Sequence, residues 1–246
     1  MSKTIKTGFM TSAIFFVLSF VACSGDDSKD NKQKVISSTV ILYQDSEPGL
    51  EPYTTRYIVN EKYMRIDDGK PDSGFVLLDR KKNIVYSVSV ENESILVIKP
   101  TEIKIKRPKD MKTSIVDKPA PKKLQLEGKP SQEIEIYANK KLCSRMITVK
   151  GVLPDYVAAL KQYRSILASQ HATNLFKTPV NMRDNCFMAY DIFEHGLHTA
   201  RGLIVRKWID KGKQTMLADY RLNQKASVRL FVMPEKYKKF KAGLVP

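Results

Sequence analysis

The chain has 246 residues, with 42 lysines and arginines against 26 aspartates and glutamates, giving a formal charge of +16 at neutral pH. An apolar fraction of 42% and a charged fraction of 28% are those of a folded soluble body, which excludes a disordered chain and a polytopic membrane protein. The length suffices for one or two domains with a sizeable core.

In chain order, Lys3 and Lys6 precede an uncharged, mostly apolar run that ends in Phe20-Val21-Ala22-Cys23. Positive residues, an apolar run and a small residue are the order of a secretory signal. The run falls short of the roughly 20 residues that span a bilayer. These last four residues resemble the lipobox of bacterial lipoproteins, with Phe20 where leucine is usual. The resemblance implies a signal peptide over residues 1–22 and acylation of Cys23, which then anchors the chain to a membrane. Ordinary cleavage and an uncleaved anchor are the other readings. Ser24 rather than aspartate follows the cysteine, which by the same resemblance implies the periplasmic face of the outer membrane.

Residues 23–33 are polar and charged with no apolar period, as a flexible tether would be. Loss of Lys3 and Lys6 lowers the charge from +16 to +14. In the cytosol such an excess would point to nucleic acid. In the envelope the available polyanions are lipid headgroups, lipopolysaccharide phosphates and wall polymers, so no nucleic-acid partner is expected. The plainest reading of the charge is a solvated, lysine-rich surface.

From Val35 the period becomes that of strands. Residues 35–43, 54–59, 63–67, 75–79, 84–90 and 95–98 are short β-branched or alternating runs, separated by Asp45 to Gly49, Asn60-Glu61, Asp68-Gly69, Lys82-Asn83 and Asn92-Glu93. That spacing predicts an antiparallel meander with one buried face. Leu50, alone in a polar loop, reads as a leucine folded back onto the sheet.

Residues 100–130 are rich in lysine and proline. Glu102 to Lys106 and Leu124 to Leu126 alternate as edge-type strands, and lysines on an edge discourage aggregation. Lys104, Lys106, Lys109, Lys122 and Lys123 form a candidate cationic surface facing anionic lipid. The stretch has no aromatic residues, unlike binders of single-stranded nucleic acid.

Glu133 to Tyr137 and Leu142 to Val149 read as two strands around Asn139-Lys140. Pro154 and Asp155 start a helix to about Leu175, and a second is expected over Met182 to His195, capped by Gly196. Residues 203–209, 214–221 and 227–232 close the chain as strands, with a polar break at Asn223 to Lys225. Trp208 shares a face with Ile204 and Arg206, and the period does not say which face is buried. If Cys23 carries lipid, Cys143 and Cys186 remain, in a compartment where disulfides persist. A bond between them closes a loop of about 40 residues, worth roughly 4 kcal/mol. The alternative is two buried free thiols.

The runs Tyr63 to Asp67, Phe75 to Asp79 with Ile84 to Tyr86, Gly202 to Arg206, and Leu230 to Tyr237 together resemble the lipoprotein-localisation-factor superfamily, the LolA-like and LolB-like proteins. The resemblance implies an α+β, mainly antiparallel β fold: a curved sheet or half-barrel with two helices inserted before the last three strands, forming one domain over residues 34–246. It also implies a concave apolar face that receives acyl chains, and no catalytic residues. Leu50 is similar to the exposed loop tip of LolB-like proteins.

Catalytic and metal signatures are missing. His195 and His198 flank a glycine, Gly212-Lys213 lacks a phosphate loop's upstream glycine, and Asp67 and Asp68 point to opposite faces of a strand. The expectation is therefore a non-enzymatic lipoprotein without cofactor or metal, anchored through Cys23 and binding a lipid or amphiphile in the concave face. The alternative is an envelope scaffold whose lysines contact anionic polymers or a protein partner.

Overall fold

The structure, a computed structural model, describes residues 34–102, 105–119 and 124–242. Six strands follow one another as an antiparallel meander: β1 (Val35–Ser46), β2 (Tyr53–Val59), β3 (Tyr63–Asp67), β4 (Phe75–Asp79), β5 (Ile84–Ser89) and β6 (Ser94–Ile98). The turns fall where turn-forming residues stand. Asn83 takes a positive φ of 57°, and the Asn60 side chain accepts from the backbone N–H groups of Lys62 and Tyr63. A second antiparallel group comprises β7 (Thr113–Pro119), β8 (Gln125–Leu126), β9 (Lys129–Ala138) and β10 (Lys141–Val149). Then come α1 (Pro154–Phe176), α2 (Asn185–Phe187), a π-helical turn (Met188–Phe193) and α3 (Leu197–Ala200). The last strands are β11 (Leu203–Ile209), β12 (Gln214–Ser227) and β13 (Lys238–Lys241).

The long strands β1 and β12 pair with each other and join the two groups into one open sheet in the order β13-β6-β5-β4-β3-β2-β1-β12-β11-β10-β9-β7. Only β13 runs parallel to its neighbour, β6, among the described strands. Helix α1 contacts β2, β5 and β6 on one flank, and its C-terminal half packs with Ala138 and Cys143 of β9 and β10 on the other. β6 and β10 stand eight places apart in the sheet. A flat sheet would separate them by about 38 Å, yet Thr101, just past β6, donates its N–H to Ser169 Oγ of α1, and Ala172, within one turn of Ser169, clusters with Ala138 and Cys143. The sheet therefore curls around α1, which makes the helix-facing side concave.

Four expectations change. The lysine-proline segment carries its edge strand at Thr113–Pro119, while Glu102, Ile105 and Lys106 are not in a strand. The helix expected over Met182 to His195 is broken: after a 3₁₀ turn at Val180–Met182 the chain extends, and Asp184 restarts it by accepting from the N–H groups of Cys186 and Phe187. Gly196 precedes α3 instead of ending a long helix. Finally, the polar break at Asn223 is a bulge within β12, with Asn223 at φ 54° and the register shifting opposite Ser38 and Val40, and residues 228–231 form a 3₁₀ turn capped by Ser227. The third closing strand is thus β13.

Candidate binding surfaces

Cys143 and Cys186 are joined by a disulfide across 43 residues, which fastens α2 to β10. Asp184 and Asp210 lie close to Cys186, but the sulfur is committed to the disulfide, Asp184 pairs with Lys211 and Asp210 pairs with Lys141. The group is therefore a set of ion pairs around a staple. Lys106 and Lys109 are exposed and make no ion pair among the described residues. Cys23, Lys104, Lys122 and Lys123 lie outside the described residues. Leu50 is 61% exposed, so it does not fold back onto the sheet. The histidines diverge: His171 meets the Phe187 ring edge-on, His195 Nδ1 contacts the Ile192 carbonyl, and His198 is fully buried.

Under the N-terminal half of α1 the hollow of the sheet is filled by side chains. Ile41, Val59, Met64, Leu78, Val85 and Ile98 pack against Tyr156, Ala159, Leu160 and Ile166. Tyr43, Tyr57 and Tyr156 form a ring cluster with centroids 5.3–6.4 Å apart, and the Tyr43 hydroxyl donates to the Ile204 carbonyl at 2.8 Å. Burial pushes the hydroxyls of Tyr43 and Tyr57 well above the ordinary tyrosine range.

Under the other half of the helical layer Ile136, Met146, Tyr190 and Ile204 pack together, and beside them lies a polar basin of Lys207, Arg164, Asp191 and His198. Lys207 of β11 is paired across the sheet with Met146 of β10, over which Tyr190 packs, so the lysine points toward the helices. It faces Arg164 of α1 and Asp191 of the π-helical turn; burial, then the Arg164 charge, pushes its pKa down to about 8. Arg164 Nη2 reaches Asp191 Oδ1 and His198 Nε2, each at 3.1 Å. Burial and the same guanidinium hold His198 neutral, well below the usual imidazole value. Ser144 Oγ, Arg164 Nε, the Tyr190 hydroxyl and His198 Nδ1 are buried with no hydrogen-bond partner. No sequence signal singled these residues out, because they converge from β10, α1, the π-helical turn and α3.

The opposite, outer face carries a groove of about 570 Å³ over β2, β1 and β12. In register, Val40 and Leu42 of β1 pair with Ile58 and Arg56 of β2 and with Arg221 and Asp219 of β12. Val40, Leu42, Ile58, Ala226 and Leu230 make an apolar floor, and Arg56, Arg221 and Lys225 stand at its edges together with Asp68 and Asp219, the last held by Arg221 at 2.9 Å. Arg56 grips Asp67 through two hydrogen bonds of 2.7 and 3.0 Å. Arg65 holds the same carboxylate, donates to the Leu230 carbonyl and stacks on Phe75 at 3.7 Å. Two guanidiniums on one carboxylate leave a positive charge beside the groove.

No family model matches the chain, and no curated protein matches it. Among solved structures, it is similar to an uncharacterized conserved protein from Thermus thermophilus, 8% identical over 83% of this chain and 90% of that one, with a TM-score of 0.41. It is also similar to PNGF-II in two crystal forms, 11% and 12% identical over 84% of this chain, with TM-scores of 0.41 and 0.40. The chain spans only 32% and 31% of those PNGF-II chains. At that distance neither fold nor function passes from these proteins to this one.

Proposed function

We propose that the chain is a non-enzymatic lipoprotein of the cell envelope, held by lipid on Cys23 to the periplasmic face of the outer membrane, whose folded body receives an anionic amphiphile. The observation that carries this reading is the outer-face groove, an apolar strip of Val40, Leu42, Ile58, Ala226 and Leu230 with arginines on both sides. Its volume, about 570 Å³, is within the range of small-molecule sites, which combine an apolar lining with a few placed polar groups. The concave side is less suited to an acyl chain, because α1 and its core side chains occupy it under β2 to β6. In this reading the acyl chain lies along β1 and its head meets Lys225, the lining cation that makes no ion pair among the described residues.

The test is displacement of a fluorescent fatty-acid analogue from the purified full chain by decanoate and by lysophospholipid. Saturable binding that Leu42→Asp weakens by an order of magnitude supports the reading, and equal binding by the two proteins overturns it. Labelled palmitate should mark the wild type and leave Cys23→Ala unmarked.

A further inference from the structure

We propose that the polar basin between β10, β11, α1 and the π-helical turn is a site for a small oxyanion, a carboxylate or phosphate, with Lys207 and Arg164 as its cationic ligands. This site lies on the face opposite the groove proposed above and does not depend on it. Several buried polar groups here have no partner among the described residues. Arg164 Nε has no acceptor, and the hydroxyls of Ser144 and Tyr190 are buried without partners; half-buried Lys207 makes no hydrogen bond or ion pair among the described residues, and its ammonium is not among the fully buried atoms. Ser144 is 1% exposed and Tyr190 2%. Ser144 and Arg164 lie close enough to the Tyr190 hydroxyl to pull its pKa back toward normal, yet neither meets it in hydrogen-bond geometry. A buried polar group left unmet is costly, so native folds meet such groups with protein, water or a ligand.

The carboxylates nearby are already committed. Asp45 of β1 receives the hydroxyls of Thr55 and Thr215, each at 2.6 Å. Asp191 faces Arg164 Nη2. Lys213, the next cation along the sheet, is held by Glu47 at 2.5 Å. His198 is neutral and its Nε2 lies between Arg164 and the Tyr190 carbonyl, 2.9 Å away. The unmet groups are thus the Arg164 Nε–H donor, two hydroxyls that can donate or accept, and His198 Nδ1, an acceptor because Nε2 donates to the Tyr190 carbonyl; the charged member of the basin without an acidic partner of its own, Lys207, is a cation. Water could satisfy the hydroxyls, but Lys207 and Arg164 repel each other and Asp45 and Asp191 only partly offset that, so an oxyanion, which supplies acceptors and charge together, is the better-matched guest. A metal ion would be repelled by the Lys207 and Arg164 charges, which an oxyanion meets favourably. Access is present, because Lys207 is half-buried and the Arg164 and Asp191 side chains are 16% and 29% exposed.

The oxyanion can be free or the head of an amphiphile, and two probes separate these: inorganic phosphate and decanoate. The experiment follows the lysine ammonium resonances of the full chain against pH, with and without each probe, alongside calorimetric binding at pH 7. The expected result is saturable binding that raises the Lys207 titration midpoint, is weakened at least tenfold in Lys207→Met, is retained in Lys207→Arg and is unchanged in Leu42→Asp. Decanoate binding far better than phosphate would assign an amphiphile head, and similar binding a free oxyanion. Equal binding by wild type and Lys207→Met, or a Lys207 midpoint that neither probe moves, would overturn the proposal, and failure of the outer groove would leave it untouched.

Discussion

The β2 to β6 side of the sheet and the β10 to β12 side obey different rules. On the first, buried charge is met locally: Asp67 by Arg56 and Arg65, Asp79 by Lys82 and by the backbone N–H of Lys82, and the Asn60 carbonyl by Arg80. The hollow beneath it is closed by aliphatic and tyrosine side chains. On the second, the hydroxyls of Ser144 and Tyr190 and one nitrogen each of Arg164 and His198 are buried without partners, and half-buried Lys207 has no acidic partner among the described residues. The contrast separates a self-sufficient scaffold from a region whose polar groups are arranged for something outside the chain. A scaffold variant should therefore cost stability, and a basin variant should change binding at little cost in stability.

The sharpest break of the scaffold is Asp67→Ala. It strands two guanidiniums, of which Arg65 is 8% exposed, and leaving a buried charge unpaired costs about 3–5 kcal/mol. Chemical denaturation should show that loss. The same carboxylate gives an acid signature. Burial opposes its ionisation, but Arg56 and Arg65 prevail and hold its pKa below the usual aspartate value. Its contribution is therefore complete above pH about 4 and is lost as pH falls through the lower, folded value. Wild type should lose stability over that acid range, and Asp67→Ala should lose less.

Next in size is the disulfide. Cys143→Ser with Cys186→Ser opens a 43-residue separation and should cost about 2–4 kcal/mol. Reductant should lower the wild-type melting temperature toward that of the double variant. Because the staple holds α2 beneath the basin, hydrogen exchange in the helical layer should rise more than in β2 to β6.

How much of this was legible in the sequence follows the same division. The meander was readable because strand alternation and turn residues are local: β3, β4 and β11 have the predicted bounds, and α1 differs by one residue. The second helix was not, because Asp184 looks like an ordinary polar residue until its carboxylate is seen capping Cys186 and Phe187. β13 escaped because Lys238 to Lys241 pairs with a strand far away in sequence and has no buried face of its own. The basin was illegible for a stronger reason. Lys207 and Arg164 are two cations among 42 in the composition, and only the packing of the helical layer on β10 and β11 brings them together.

On the basin side, Lys207→Met should raise stability at neutral pH. The folded protein holds this ammonium at a pKa of about 8, well below the ordinary lysine value, chiefly through burial. The unfolded chain binds that proton more tightly, so the lysine costs stability below pH about 8 and the cost fades as pH rises from there toward 10. Methionine keeps the packing and removes the charge. We expect a gain of roughly 1–2 kcal/mol at pH 7 that shrinks by pH 10, read as converging melting curves of wild type and variant.

The smallest effect expected is the most discriminating. Ser144→Ala deletes a buried hydroxyl that has no partner. A hydroxyl already serving the fold through a hydrogen bond would cost about 1 kcal/mol or more to remove, whereas one that is desolvated and unmet costs nothing to lose. We expect less than about 0.5 kcal/mol of change in the ligand-free protein, of either sign, by urea denaturation. The same substitution should still weaken phosphate or decanoate binding several-fold if the hydroxyl is kept for a ligand. A stability loss near 1 kcal/mol with binding intact would instead make Ser144 part of the scaffold and erase the difference between the two sides of the sheet at this position.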